Sequence, residues 1–193
     1  MRFYLATANK HKADEYNQIF SEVGMEVALF PNYEAPIEDG MSFEENAEIK
    51  AVALSKQCND FVLADDSGLE VAILHGEPGI FSARYAGNSS TNELNNKLLL
   101  QNMFGKSYRS ARFVCAIALA RAGQLIGTFR GECKGTIAQA PKGNNGFGYD
   151  SLFLVSPNMT MAELSPEEKN NISHRRNAAD RVIAFLQEVS KNG

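Results

Sequence analysis

Along this chain apolar residues fall alternately in short runs and at helical spacing, and each change of period marks an element. Phe3, Tyr4, Leu5 and Ala6 form a compact apolar run, so Arg2 to Thr7 reads as a first strand. Tyr16, Ile19, Phe20 and Val23 then recur at helical spacing, which predicts a helix over Lys10 to Val23. Met25 to Phe30 reads as a second strand, and Pro31 to Gly40, rich in proline and ending in glycine, as a loop. Ser42-Phe43-Glu44-Glu45 has the form of a capping box, in which the serine oxygen and the Glu45 carboxylate satisfy backbone donors at a helix start. That helix is expected to run to about Cys58 and to turn Ile49, Ala53 and Leu54 inward.

The next apolar run, Phe61 to Ala64, reads as a buried strand closed by Asp65 and Asp66, with Gly68 as the turn behind them. Glu70 to Leu74 suggests a short strand before the turn cluster Gly76-Glu77-Pro78-Gly79. Ser90-Thr91-Asn92-Glu93 predicts a second capped helix, with Leu94, Leu98, Leu99 and Met103 along one face. Arg112 to Arg121 and Leu125 to Cys133 read as long strands joined in a hairpin at Ala122-Gly123-Gln124. Ser165-Pro166-Glu167-Glu168 opens another helix, with proline where a helix start tolerates it. Ala178, Val182, Phe185, Leu186 and Val189 predict a final amphipathic helix. Helices alternate with strands at first and strands then cluster, so the expected architecture is α/β: a mixed sheet flanked by helices. Neither repeats nor a linker interrupt residues 1–193, which read as a single domain.

Composition narrows the function. The chain has 193 residues and a formal net charge of -4, which argues against a nucleic-acid binder with a basic face. No stretch approaches the apolar length of a membrane span, and the amino terminus lacks a signal-peptide pattern. Cys58, Cys115 and Cys133 are widely spaced and odd in number, unlike a disulfide framework or a zinc site. A cytoplasmic protein is expected.

Four polar clusters carry candidate chemistry. Thr7-Ala8-Asn9-Lys10-His11-Lys12 lies between a strand and a helix, where free backbone donors and lysines suit phosphate oxygens. It lacks the glycines of a P-loop, and Asn9 can equally be a plain helix cap. Glu38 and Asp66 are oxygen donors of the kind magnesium takes, although Asp66 before Ser67-Gly68 also fits an ordinary turn. Gly143 to Asp150 sets Phe147 between glycines, which suits either stacking on a planar base or a hairpin with Phe147 tucked inward. Lys169 and Ser173-His174-Arg175-Arg176 supply cations near the last helix, as phosphate ligands or as surface charge.

Taken in order, these segments resemble the inosine triphosphate pyrophosphatase family. The likeness runs through Thr7 to Lys12, Ser42 to Ala47, Ala64 to Leu69, Gly76 to Arg84, Gly146 to Asp150 and Ser173 to Arg175, nearly the whole chain. The resemblance implies an elongated mixed sheet with two lobes and a central active-site cleft, in a homodimer. It implies magnesium-dependent hydrolysis of ITP, dITP and XTP to the monophosphate and pyrophosphate, cleansing the nucleotide pool. By the same resemblance the phosphate-binding segment is Thr7, Ala8, Asn9, Lys10, His11 and Lys12. The general base is Asp66, the metal carboxylates are Glu38 and Asp66, and Ser67 contacts substrate. The remaining contacts map onto Phe147, Gly148, Tyr149, Asp150, Lys169, His174 and Arg175. Ala8 stands where glycine is common and Ser151 where proline is usual, departures that remove no chemical group.

Hydrogen-bond polarity then suggests the selectivity. A guanidinium such as that of Arg175 donates to a purine 6-carbonyl but faces the adenine amino group donor to donor. The role of Asp65 is left open, as a partner of Asp66 or as a carboxylate behind it. Two rival readings predict other outcomes: a Maf-like pyrophosphatase prefers pyrimidine triphosphates, and a purine-nucleotide sensor binds without turnover.

Overall fold

The computed structural model describes residues 1–192, so Gly193, the last residue of the expected domain, lies outside the described residues. Its strands are β1 Arg2–Leu5, β2 Glu26–Leu29, β3 Phe61–Val71, β4 Ser110–Arg121, β5 Gln124–Ile137, β6 Phe153–Ser156 and β7 Met159–Thr160. They form a seven-stranded sheet in the order β2-β1-β3-β4-β5-β6-β7. The sheet is mixed: β1 runs parallel to β2 and β3, whereas β6 pairs antiparallel with β5 and β7. The helices are α1 Lys10–Ser21, α2 Phe43–Ser55, α3 Asn92–Asn102, α4 Pro166–Ile172 and α5 His174–Asn192. This is the expected mixed sheet with helices. None of the described helices is long and apolar enough to cross a membrane.

Contacts divide the chain into two compact units. Unit 1 comprises Met1–Asp66, Cys115–Gly131 and the chain from His174 onward. Its core joins Phe3 and Leu5 of β1, Leu63 of β3 and Ile117 and Leu119 of β4 to Tyr16, Ile19 and Phe20 of α1 and Val182 and Leu186 of α5. The predicted hairpin is present, with Ala122 (φ 49°) and Gly123 (φ 77°) both in the left-handed region that matches the strand twist. Unit 2 comprises Ser67–Val114 and Glu132–Ser173. Its core gathers Leu69, Leu99, Met103, Phe113, Tyr149 and Phe153, with the Phe113 and Phe153 rings 4.4 Å apart between centroids. Arg109 joins the end of α3 to β5 by donating to the carbonyls of Met103, Lys106, Ile137 and Ala138. The Ser165–Glu168 capping box is complete, serine oxygen to the Glu168 N–H and Glu168 carboxylate to the Ser165 N–H.

Several expectations need correction. The acidic pair does not end a strand: β3 continues through Asp65, Asp66, Ser67 and Gly68 to Val71. Gly68 serves a close approach. The Ser82 hydroxyl receives the Leu69 N–H at 2.9 Å and donates to the Gly79 carbonyl at 2.6 Å, so that segment lies directly against the strand. In α2 the buried face is Phe43, Asn46, Ala47, Lys50, Ala51 and Leu54, and Ile49 and Ala53 are only half-buried. Glu45 reaches the Met41 N–H, while Ser42 caps the Glu45 N–H. The cap of α3 is Thr91, one residue later than the capping-box spacing from Ser90 implied. Leu94 accordingly lies exposed and Asn95 takes the buried position.

A methyl group on Gly68 would collide with the Ser82 hydroxyl and approach the Gly79 carbonyl to 2.6 Å. Gly68→Ala is expected to destabilise the protein by about 1–3 kcal/mol through overpacking, measurable as a lower urea midpoint with an unchanged slope.

Candidate active site

The central feature of unit 1 is the acidic pair inside β3. Successive strand residues face opposite sides of a sheet, so Asp65 and Asp66 diverge. The Asp65 side chain has no exposed surface, and its Oδ2 lies 2.8 Å from Lys12 Nζ and 3.7 Å from Arg175 Nε. Arg175 also donates to Glu15 at 2.9 Å. Behind them the Tyr16 hydroxyl and Cys115 thiol sit 3.3 Å apart. Burial pushes the Asp65 carboxyl up, but Lys12, Arg175 and Lys50 outweigh it and hold it below the usual carboxylate value. Burial, with Asp65 adding, pushes the Cys115 thiol up to about 12.

Asp66 faces a different set of partners. Its Oδ2 accepts from Asn46 Nδ2 at 3.1 Å, and its Oδ1 lies 3.5 Å from Lys50 Nζ. The same ammonium donates to Glu38 Oε2 at 3.2 Å. Burial, with Glu38 adding, raises the Asp66 carboxyl above its usual value despite Lys50, Lys12 and Asn46. Burial works against the Lys50 charge, but Asp66, Asp65 and Glu38 together push its pKa up. The helix bearing Asn46 and Lys50 is tied to β5 by Glu44 with Arg130 at 2.8 Å and by Glu48 with Thr128 at 2.6 Å.

Glu38 and Asp66 thus converge on one ammonium. Among the described residues no group of three or more histidine, cysteine or acidic side chains is arranged to hold a metal. Magnesium takes only one or two protein carboxylates and completes its shell with water and phosphate. The pair fits that ion in donor type and number, and fits neither a zinc site nor an all-protein calcium cage.

The phosphate-segment candidates divide. Asn9 is the N-cap of α1, its side chain receiving the Lys12 N–H at 3.3 Å, and Thr7 Oγ1 receives the Asn9 N–H at 3.1 Å. Lys12 points to Asp65, whereas Ala8, Lys10 and His11 are exposed. Ser67 is half-buried in β3, and His174 is buried at the start of α5. The Arg175 guanidinium is turned into the pair with Glu15 and Asp65, with its side chain only 4% exposed.

Unit 2 brings the other candidates together. Asp150 Oδ2 accepts from Lys169 Nζ at 2.7 Å and from the Phe147 N–H at 2.9 Å. The Lys169 ammonium lies 4.8 Å from the centroid of the Phe147 ring. Gly146 adopts φ 74°, and a Cβ there would strike the Asp150 carboxylate, so glycine permits this turn. Tyr149 is buried, its hydroxyl donating to the Ser82 carbonyl at 2.8 Å. Phe147, Gly148 and Asp150 line an open cavity of about 1210 Å³, with Asn96, Leu100 and Phe104 among its other walls.

Asn46, Lys50 and Glu15 did not stand out in the sequence. A signal existed for the first two: they are four residues apart, on the same helical stripe as Phe43, Ala47 and Leu54. Polar side chains interrupting an apolar stripe need buried partners.

Residues 3–185 match the model of the Ham1 family. A dITP/XTP pyrophosphatase of Listeria innocua is 44% identical over 194 residues, covering 97% of this chain and 96% of that protein. The Bacillus licheniformis protein of the same name is 46% identical over 191 residues, with 96% and 97% covered. The solved structure of the Staphylococcus aureus Ham1 protein aligns with a TM-score of 0.84 at 42% identity, over 97% of this chain and 99% of that one. A HAM1 protein from Coxiella burnetii aligns at 0.86 with 38% identity and the same coverage. A match continuous over nearly the whole sequence, with the same fold behind it, places the chain in the Ham1 family.

Proposed function

We propose that this protein hydrolyses deaminated purine nucleoside triphosphates, namely dITP, ITP and XTP, to the monophosphate and pyrophosphate. The observation that carries this reading is Asp66 held with Glu38 around Lys50, in a chain whose full-length relatives bear the name dITP/XTP pyrophosphatase. The family match crosses both units without interruption, which supports treating the chain as one functional domain.

Glu38 and Asp66 would hold magnesium, which when bound offsets charge on the triphosphate. Asp66 is the proposed base: burial makes its carboxylate a stronger proton acceptor than an exposed aspartate, suited to taking a proton from the attacking water. Lys50 and Lys12, with the segment of residues 7–12, are the proposed phosphate contacts, supplying positive charge where phosphoryl transfer needs it. Ser67, His174 and Arg175 complete the proposed substrate contacts. Phe147 offers a stacking face, with Gly148, Tyr149 and Asp150 shaping its loop. Arg175 and, beside the Phe147 ring, Lys169 are the proposed donors to the 6-carbonyl, each held by a carboxylate, Arg175 by Glu15 and Lys169 by Asp150. A homodimer in the cytoplasm belongs to the same proposal; the free cysteines suit a reducing compartment.

Purified protein with magnesium is expected to release pyrophosphate from dITP, ITP and XTP with kcat/KM about 100-fold above that for dATP or dGTP. Orthophosphate as the first product, or a preference for dTTP or UTP, would reject the reading. Asp66→Asn is expected to lower kcat about a thousandfold with the fold intact by circular dichroism.

Lys50 generates a separate expectation. Without its ammonium the Asp66 carboxyl rises further, and a carboxyl raised in the folded state weakens folding above its folded pKa. Lys50→Met is therefore expected to lose about 1–3 kcal/mol of stability near neutral pH, allowing for the partial exposure of Glu38. The loss should shrink as the pH falls through the raised Asp66 value. Urea titrations at neutral and mildly acidic pH measure both.

A further inference from the structure

Asp65 has no part in the chemistry described so far, yet it is the more deeply buried of the two strand aspartates. Its side chain is 0% exposed, against 14% for Asp66. One of its oxygens is engaged: Oδ2 receives Lys12 at 2.8 Å, with Arg175 Nε at 3.7 Å and Cys115 Sγ at 4.0 Å. The other, Oδ1, is buried without a hydrogen-bond partner among the described residues. Strand alternation turns it away from the side on which Asp66 meets Asn46 and Lys50. With no exposed surface and Oδ2 on Lys12, Asp65 is placed as the partner of a cation, whereas Asp66 shares its cation with Glu38 and keeps some exposure.

What Asp65 controls is the cation. The Lys12 side chain remains 15% exposed, whereas that of Arg175 is 4% exposed and also anchored by Glu15. A free lysine would sample many rotamers; one whose ammonium rests on a buried carboxylate presents its remaining donors in one place. We infer that Asp65 is a positioning residue: it touches neither substrate nor metal, and it holds Lys12, with Arg175 behind, as a preset anchor for polyphosphate oxygens. The inference rests on the proposed triphosphate substrate, but its binding test does not depend on turnover or on the purine.

The test is a double-mutant cycle read by calorimetric binding of inorganic tripolyphosphate in EDTA, and by KM and kcat for dITP with magnesium. Asp65→Asn keeps the volume and removes the charge. It is expected to weaken tripolyphosphate binding and raise KM about tenfold, with kcat and the half-activating magnesium concentration each changed by less than about threefold. Lys12→Met is expected to weaken binding by about tenfold or more, and the double variant to bind within about twofold of Lys12→Met alone. Should Asp65→Asn fail to fold, the double variant, which loses both partners together, is compared with Lys12→Met and decides the matter alone. Unchanged tripolyphosphate binding in Asp65→Asn, penalties that multiply in the double variant, or a tenfold rise in the magnesium requirement would each overturn the inference. Failure of the unmodified protein to cleave dITP, with the binding cycle behaving as expected, would reject the proposed function and leave the role of Asp65 standing.

Discussion

A carboxylate buried inside a sheet cannot be solvated by water and must find its charge compensation in the protein. Asp65 imposes that requirement on unit 1. It draws Lys12 from the start of α1, 53 residues away in sequence, and Arg175 from the start of α5. Arg175 in turn is matched by Glu15, 160 residues from it. The apolar packing of α1 and α5 on the strands brings these segments close, and the ion pairs fix which side chains meet. The compensation is good enough to hold the Asp65 carboxyl below its usual pKa in spite of complete burial.

One residue further along the strand, the same residue type has the opposite character. Asp66 shares Lys50 with Glu38, and burial raises its carboxyl. Two adjacent aspartates are thus separated by the pleat into a charge anchor and a carboxylate with raised proton affinity. The division suits the proposed chemistry: a base benefits from a raised pKa, whereas a cation holder must remain charged. The orientation of α2 belongs to the same arrangement, because Glu44 and Glu48 tie it to β5 and leave Asn46 and Lys50 on its buried face.

In unit 2 a second buried pair, Asp150 with Lys169, plays the corresponding part for an aromatic side chain. The carboxylate receives the Phe147 N–H while its partner ammonium lies over the Phe147 ring, so one contact sets both backbone and ring environment. Stacking on a purine uses the face of such a ring, and the proposed selectivity for a 6-carbonyl needs a donor beside it. Both features come from residues 147–169, within the unit that also carries the open cavity.

Local signals carried much of the organisation. The 3.6-residue spacing of Tyr16, Ile19 and Phe20, the apolar runs of β1 and β4, the Ala122-Gly123 hairpin and the Ser165 cap each follow from the nearest few residues, so sequence determined them. The ordered motifs from residue 7 to residue 175 likewise pointed to the Ham1 family. Tertiary structure alone decided what each polar residue faces. Nothing in Asp65-Asp66-Ser67-Gly68 distinguishes a turn from a strand interior until the Gly79–Ser82 segment lies against Gly68 and cations approach both carboxylates. Asn46 and Lys50 meet Asp66 only because α2 docks with that stripe inward, and the Arg175 guanidinium pairs with Glu15 and Asp65. Secondary structure is set by short-range sterics and hydrogen bonds, which a sequence displays. The partner and protonation state of a buried charge depend on groups brought near by the packing of distant segments, and these are defined only in three dimensions.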